Sequence, residues 1–249
     1  MSGTIRTEGG RGRLGSVLSG LAVAVGCVLF LGGFVWGAVT YQPYSVPTDS
    51  MTPALAVGSK VLAERIDGDE VRRGDIVIFK DPLWGGSTMV KRVVGVGGDT
   101  VACCDKGGRL TIDGKPVVEP YTRAGAPASG QEFSATVPEG KLFLLGDERH
   151  TSLDSRTHLE EAGQGSVPRS AVTARVDAVA WPDAALVARP AGFAALPGGI
   201  SVPGPVEPLF YAIVGGCVLI LGGAAYGPVA RLAGRRQGGR ANGRETVDA

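Results

Sequence analysis

Met89-Val90-Lys91-Arg92-Val93-Val94-Gly95-Val96 is an apolar run, rich in β-branched residues and broken only by two adjacent cations. Its length and its glycine-rich borders read as a β-strand. Val61-Leu62-Ala63, Ile76-Val77-Ile78-Phe79, Leu142-Phe143-Leu144-Leu145 and Ala174 to Trp181 share that character. Leu110 to Val117 reads as a hairpin turning on Asp113-Gly114, a pair suited to a tight turn with positive φ. Between residues 41 and 208 no stretch carries a long helical period, although a short turn around Ser50 fits. The expected fold class is mainly β, an antiparallel sheet domain over residues 41–181. Tyr121 to Gln131, rich in Gly, Ala and Pro, reads as an excursion from the sheet, and 182–208, with repeated Pro and Gly, as a linker.

Two uncharged stretches flank this domain, Leu14 to Val39 and Leu209 to Ala230. Each exceeds the roughly 20 residues that cross a hydrocarbon core. Small residues near Ala38 also fit a cleaved signal, but signal h-regions run only about 7–15 residues. The second stretch could be a buried core helix; its length and its arginine-rich flank favour a span. Transmembrane helices are therefore expected at 14–39 and 209–230. Arg6, Arg11 and Arg13 precede the first, and Arg231, Arg235, Arg236, Arg240 and Arg244 follow the second. Thr40 to Ser59 and Pro190 to Pro208 contain no Lys or Arg. The positive-inside rule then predicts both tails, 1–13 and 231–249, in the cytoplasm and the β domain outside it. From Gly234 on, the chain is polar and is expected to be disordered.

With 25 Lys and Arg against 24 Asp and Glu, overall charge gives no reason to expect nucleic acid as a partner. Arginine far outnumbers lysine, so a lysine inside a valine run is conspicuous. Cys27 and Cys217, within the spans, read as small packing residues. Cys103 and Cys104 are adjacent in the β domain; they could form a vicinal disulfide or stay as two thiols on opposite faces of a strand. Unpaired or labile thiols are the expectation. With only His150 and His158 available, no Cys/His spacing resembles a zinc ligand set, and no cofactor is expected.

Three groups of residues could carry chemistry. Ser50, in Val46-Pro47-Thr48-Asp49-Ser50-Met51-Thr52-Pro53, lies about ten residues beyond the first span. Ser before Thr-Pro commonly caps a helix, which is its ordinary role. As a nucleophile it would need a neighbour to take its proton. Lys91 could do so if its apolar surroundings make the neutral form accessible; its ordinary role would be to protect a strand edge or snorkel to solvent. Thr48, with the Ser50 backbone N–H, could stabilise an oxyanion. The third group is Gly146-Asp147-Glu148-Arg149-His150-Thr151-Ser152-Leu153-Asp154-Ser155-Arg156, a polar loop after an apolar strand. There Ser152 could hydrogen-bond the base while Asp154 and Arg156 brace the loop. Arg92, pointing away from Lys91, reads as a structural ion-pair partner.

Ser50-Met51-x-Pro53-x-Leu55, Arg73-Gly74-Asp75-Ile76-Val77, Lys91-Arg92-Val93-Val94-Gly95-x-x-Gly98-Asp99 and the Gly146 to Arg156 block resemble, in order and spacing, the conserved boxes of type I signal peptidases. The resemblance runs from about Val46 to Trp181, and the preceding span belongs to the pattern. It implies a mostly antiparallel, signal peptidase/LexA-like β fold with Ser50 as nucleophile and Lys91 as general base, a Ser–Lys variant of the serine-protease scheme. It further implies Thr48 in the oxyanion hole, Ser152 orienting the lysine, and Asp154 with Arg156 as a structural pair. The implied substrates are secretory pre-proteins, cut after small residues at an Ala-x-Ala-like site, with membrane lipid as the setting. Ala54, Asp49, Gly97, Glu148, His150 and Thr151 depart from the usual pattern, and none of them removes a catalytic group. A Ser–His enzyme using His150 and a self-cleaving Ser–Lys repressor are the other enzymatic readings. From a different class, the chain could be an inactive paralogue that holds signal peptides without cutting them.

Overall fold

The computed structural model describes residues 10–242. They divide into two units, residues 40–204 and the flanking helices. Helix α1 spans Gly10–Thr40 and helix α2 spans Val206–Asn242. Within them, Leu14–Thr40 and Val206–Pro228 are long and apolar enough to cross a membrane. The two helices meet through small residues. Ser19 Oγ donates to the Gly223 carbonyl at 2.8 Å, and a Cβ on Gly26 would lie 2.8 Å from the Gly216 carbonyl oxygen. Such residues let helix backbones approach closely where lipid offers no hydrophobic drive between helices. The disorder expected from Gly234 on is not seen as far as Asn242, because Arg, Leu, Ala and Gln continue the helical turn beyond Pro228. Residues 1–9 and 243–249, including Arg6 and Arg244, lie outside the described residues.

The other unit carries twelve strands: β1 Tyr41–Ser45, β2 Lys60–Glu64, β3 Ile76–Lys80, β4 Thr88–Val96, β5 Thr100–Cys103, β6 Leu110–Ile112, β7 Lys115–Pro116, β8 Phe133–Thr136, β9 Lys141–Leu145, β10 Val167–Pro168, β11 Val172–Trp181 and β12 Ala185–Leu186. The larger sheet runs β1-β2-β11-β3-β4-β9-β10, with β12 added beside β11, and the smaller runs β7-β6-β5-β8. Every pairing described is antiparallel. The fold is thus an antiparallel β domain flanked in sequence by two apolar helices.

Both faces of the larger sheet are covered, which explains the continuous apolar runs in place of strict alternation. Ile76 and Ile78 of β3 join Val46, Met51, Leu55, Val61 and Val90 in one core. Val77 and Phe79, pointing the other way, join Val93, Leu142, Leu144 and Val167 in another. A third core gathers Val101, Leu110 and Ile112 of the smaller sheet with Phe143, Leu145 and Phe193. The β6–β7 hairpin turns as expected on Asp113 and Gly114, at φ 51° and 73°. Strand β1 gave no sequence signal because it is a short edge strand containing Pro43, a residue that only an edge tolerates.

Two expectations are corrected. Residues 182–208 are not a free linker up to the second helix. β12 pairs with β11, Val187 donates to the Asp177 carbonyl at 2.8 Å, and Phe193 and Leu196 are buried in the third core. Pro and Gly shape this segment, but its two apolar side chains decide where it lies, so the domain extends to Gly204. Cys103 and Cys104 are not free thiols: they form a vicinal disulfide across a cis peptide, with Cα atoms 3.0 Å apart. The opposite-face picture assumed a regular strand, whereas β5 ends at Cys103. Cys27 and Cys217 are unpaired.

Candidate active site

The loop from β1 to β2 carries Ser50. It closes on itself through Val46 N–H to the Ser59 carbonyl (3.0 Å) and Gly58 N–H to the Val46 carbonyl (2.8 Å). Ser50 sits in a single 3-10 turn, Asp49–Met51, whose neighbours Met51 and Leu55 are each 1% exposed. Burying a side chain of that size contributes about 1.5–3 kcal/mol. These two anchors therefore hold the turn against the sheet and leave Ser50 little freedom.

Lys91, in the middle of β4, is paired backbone to backbone with Val77 of β3. Its Nζ donates to Ser50 Oγ at 2.8 Å and to the Val90 carbonyl at 3.2 Å. The side chain is 3% exposed. Burial lowers its pKa from the ordinary lysine value; Asp154 and then Asp147 push the other way without reversing the shift. Thr48 Oγ1 lies 3.2 Å from Ser50 Oγ, on the solvent side. Thr48, Ser50 and Lys91 share a small cleft with Val46, Pro47, Met51, Met89 and Val90, of about 80 Å³. The β4–β9 ladder begins at Arg92, so the 88–91 end of β4, beside Ser50, is paired on the β3 side alone among the described residues.

The loop after β9 packs under the serine. Glu148 N–H donates to the Ser50 carbonyl at 3.1 Å. Gly146 lies so close that a Cβ there would be 2.5 Å from both the Ser50 carbonyl oxygen and Ser152 Cβ. Ser152 is buried beside it, yet its hydroxyl has no hydrogen-bond partner, so the bond expected from Ser152 to Lys91 is not made. The Lys91 ammonium bonds Ser50 and the Val90 carbonyl instead. Asp154 grips Arg156 with both oxygens, each bond 2.8 Å, and also accepts the Gly146 N–H at 3.0 Å. That pair thus ties the far end of the loop to the residue under Ser50. His150 is exposed at the loop surface.

Several residues gave little or no sequence signal for their part here. Arg92, read only as an ion-pair partner, forms a two-pronged pair with Asp147 at 2.8 and 2.7 Å and donates to the Gly74 carbonyl at 2.8 Å. Its guanidinium carbon lies 3.8 Å from the centre of the Tyr121 ring. Glu119 grips Arg149, which also donates to the Gly146 carbonyl at 3.0 Å. Tyr121 opens the excursion of the chain away from the sheet and Glu119 lies just before it, in a stretch whose composition does not say what it touches. Asp147 carries the one available hint, standing directly after the glycine that ends β9.

A desolvated Ser–Lys pair on an antiparallel β domain, in a chain with two helices able to span a membrane, defines a narrow class of protein. The model of the family described as signal peptidase, peptidase S26 matches residues 17–181, and the chain belongs to that family. A probable signal peptidase I of Mycobacterium leprae (strain TN) is 31% identical over 199 residues, covering 57% of this chain and 68% of its own length. Signal peptidase I of Mycobacterium tuberculosis (strain ATCC 25618 / H37Rv) is 29% identical over 192 residues, covering 57% and 65%. The chain thus spans about two thirds of the length of these mycobacterial relatives. A crystal structure of a signal peptidase I from Enterococcus faecalis V583 is 31% identical, with a TM-score of 0.34, covering 42% of this chain and 94% of that one.

Proposed function

We propose that this chain is a membrane-anchored serine endopeptidase that removes signal peptides from secretory pre-proteins, with Ser50 as nucleophile and Lys91 as general base. The observation that carries the reading is the 2.8 Å contact between Ser50 Oγ and a lysine ammonium so buried that its pKa falls. Neutral Lys91 takes the Ser50 proton as Oγ attacks the scissile carbonyl. The oxyanion faces the Thr48 hydroxyl and the Ser50 N–H. Lys91 then gives its proton to the leaving amine, which departs as the new N-terminus. The acyl-enzyme is hydrolysed by a water that Lys91 deprotonates, and Ser50 is restored.

Substrate class follows from the cleft and the strand edge. The free edge of β4 at 88–91 offers backbone groups to an extended peptide, as in strand addition. A cavity of about 150 Å³ takes a benzene ring; the cleft at Ser50 is near half that size and suits a small side chain such as alanine. The arginines outside both spans argue for cytoplasmic tails and an extracytoplasmic domain. That arrangement would present Ser50 to the end of a signal peptide still held in lipid.

The test uses the full chain in lipid vesicles, a secretory pre-protein, and mass spectrometry of the new N-terminus. Wild type should cut once, after a small residue, and Ser50→Ala should bind the pre-protein without cutting it. Binding without cleavage by the wild type would support the non-catalytic reading instead. Cleavage by Ser50→Ala at the wild-type rate would remove Ser50 from the chemistry.

A further inference from the structure

Asp177 lies in β11, 2% exposed, with β3 between it and the strand of Lys91 in the sheet order. A carboxylate buried this far must be met by several donors. Its Oδ2 accepts from the Tyr41 hydroxyl at 3.0 Å and from the Gly204 N–H at 3.1 Å. Its Oδ1 accepts from Arg189 Nη2 and lies 3.4 Å from Arg175 Nε. Arg175 in turn grips Glu64 at 2.5 Å.

Two of these four partners are the ends of the domain. Tyr41 directly follows the last residue of α1, and Gly204 stands two residues before the first residue of α2. They are 163 positions apart in the chain, yet one carboxylate oxygen holds both. Gly204 is fitted to this place. A Cβ there would collide with Asp177 Oδ2 and the Tyr41 hydroxyl and lie 2.6 Å from Glu64 Oε2. Arg175 and Arg189 also face Glu64 and Asp75, so the bonds from Tyr41 and Gly204 help to satisfy the buried carboxylate and at the same time join the two ends of the domain.

We infer that Asp177 is a positioning residue for cleavage of membrane-held substrate, fastening the entry and exit of the β domain together so that its two membrane attachments act as one. The inference rests on the peptidase reading above. A substrate held in the same bilayer reaches Ser50 at an effective concentration set by how freely the domain moves on its attachments. Small misplacements of a reacting group carry large rate penalties. A soluble peptide arrives by diffusion and is indifferent to the attachment.

The full chain in lipid vesicles is assayed with two substrates, a membrane-inserted pre-protein and a short soluble peptide bearing the same cleavage site. Asp177→Asn should lower cleavage of the inserted pre-protein by about tenfold or more and leave kcat/KM for the soluble peptide unchanged. Tyr41→Phe, which removes one of the two end contacts, should give a smaller loss with the same selectivity, and it carries the test should Asp177→Asn fail to fold. Equal losses on both substrates would reduce Asp177 to ordinary support and overturn the inference, as would full activity of both variants on the inserted pre-protein. A wild type that cuts neither substrate would remove the peptidase reading itself, and this inference with it; that result is told apart by the wild-type reaction alone.

Discussion

Replacing Gly146 by alanine tests how tightly the loop after β9 controls the nucleophile. Gly146 needs no unusual backbone angle, so the effect of the new methyl is steric. The Cβ would lie 2.5 Å from the Ser50 carbonyl oxygen and from Ser152 Cβ, and closer still to Ser152 Oγ, whereas ordinary contact begins at 3.4 Å. Neither neighbour is the end of a flexible side chain on the Ser50 side, because the atom struck there is backbone. The Ser50 turn and the Gly146 loop must therefore move apart by close to an ångström between them. Overpacking of this kind costs about 1–3 kcal/mol of stability. A misplacement of about 1 Å costs on the order of 10²-fold in rate. Thermal unfolding of the purified variant should show a folded protein, while kcat/KM on a soluble peptide falls by about that factor. Adding Ser152→Ala should recover part of the loss by removing the hydroxyl that the methyl strikes first. Wild-type kcat in Gly146→Ala would show that the loop does not set the position of Ser50.

Other changes separate chemistry from support. Thr48→Ala should lower kcat by about 10²–10³-fold with little change in KM, while Thr48→Ser keeps most activity; equal behaviour of the two variants would withdraw the oxyanion role. Asp147→Asn leaves Arg92 buried and unpaired, so urea unfolding should show a loss of about 3–5 kcal/mol. A loss below about 1 kcal/mol, typical of an exposed pair, would contradict that account. Lys91→Met should be inactive yet folded. Burial lowers the Lys91 pKa in the folded chain, so wild-type stability should rise with pH between that lowered value and 10.5, where only the unfolded chain holds the extra proton. Lys91→Met should lack that rise, and equal pH dependence of the two proteins in urea titrations would contradict the shift.

Local sequence carried much of this. The strands at Ile76 to Phe79, Met89 to Val96 and Leu142 to Leu145 were legible because their apolar runs are short and punctuated. The proximity of Ser50 to Lys91 was legible only as resemblance, since 41 positions separate them and no periodicity links a loop to a strand. The vicinal disulfide was one of two alternatives for Cys103 and Cys104, and unpaired or labile thiols were expected instead because adjacent side chains on a regular strand diverge. The packing of Phe193 and Leu196 was masked by the Pro and Gly around them. The hydroxyl of Ser152, expected on Lys91, finds no partner, while Lys91 bonds Ser50 and the Val90 carbonyl; such a choice between neighbours depends on tertiary packing that sequence does not carry. Tyr121 under Arg92 and Glu119 on Arg149 are long-range contacts of a loop, which composition alone cannot assign.

The pH dependence of kcat/KM on a soluble peptide tests the central claim, that a desolvated Lys91 activates Ser50, most directly. The bell or plateau in such a profile reports groups of the free enzyme. Activity should rise with pH through an apparent pKa below the ordinary lysine value of 10.5, because only the neutral amine can accept the Ser50 proton. Lys91→Arg, which cannot release its proton at accessible pH, should be inactive at every pH on the same axis. A rate that does not rise with pH in the wild type, or substantial activity in Lys91→Arg, would contradict it.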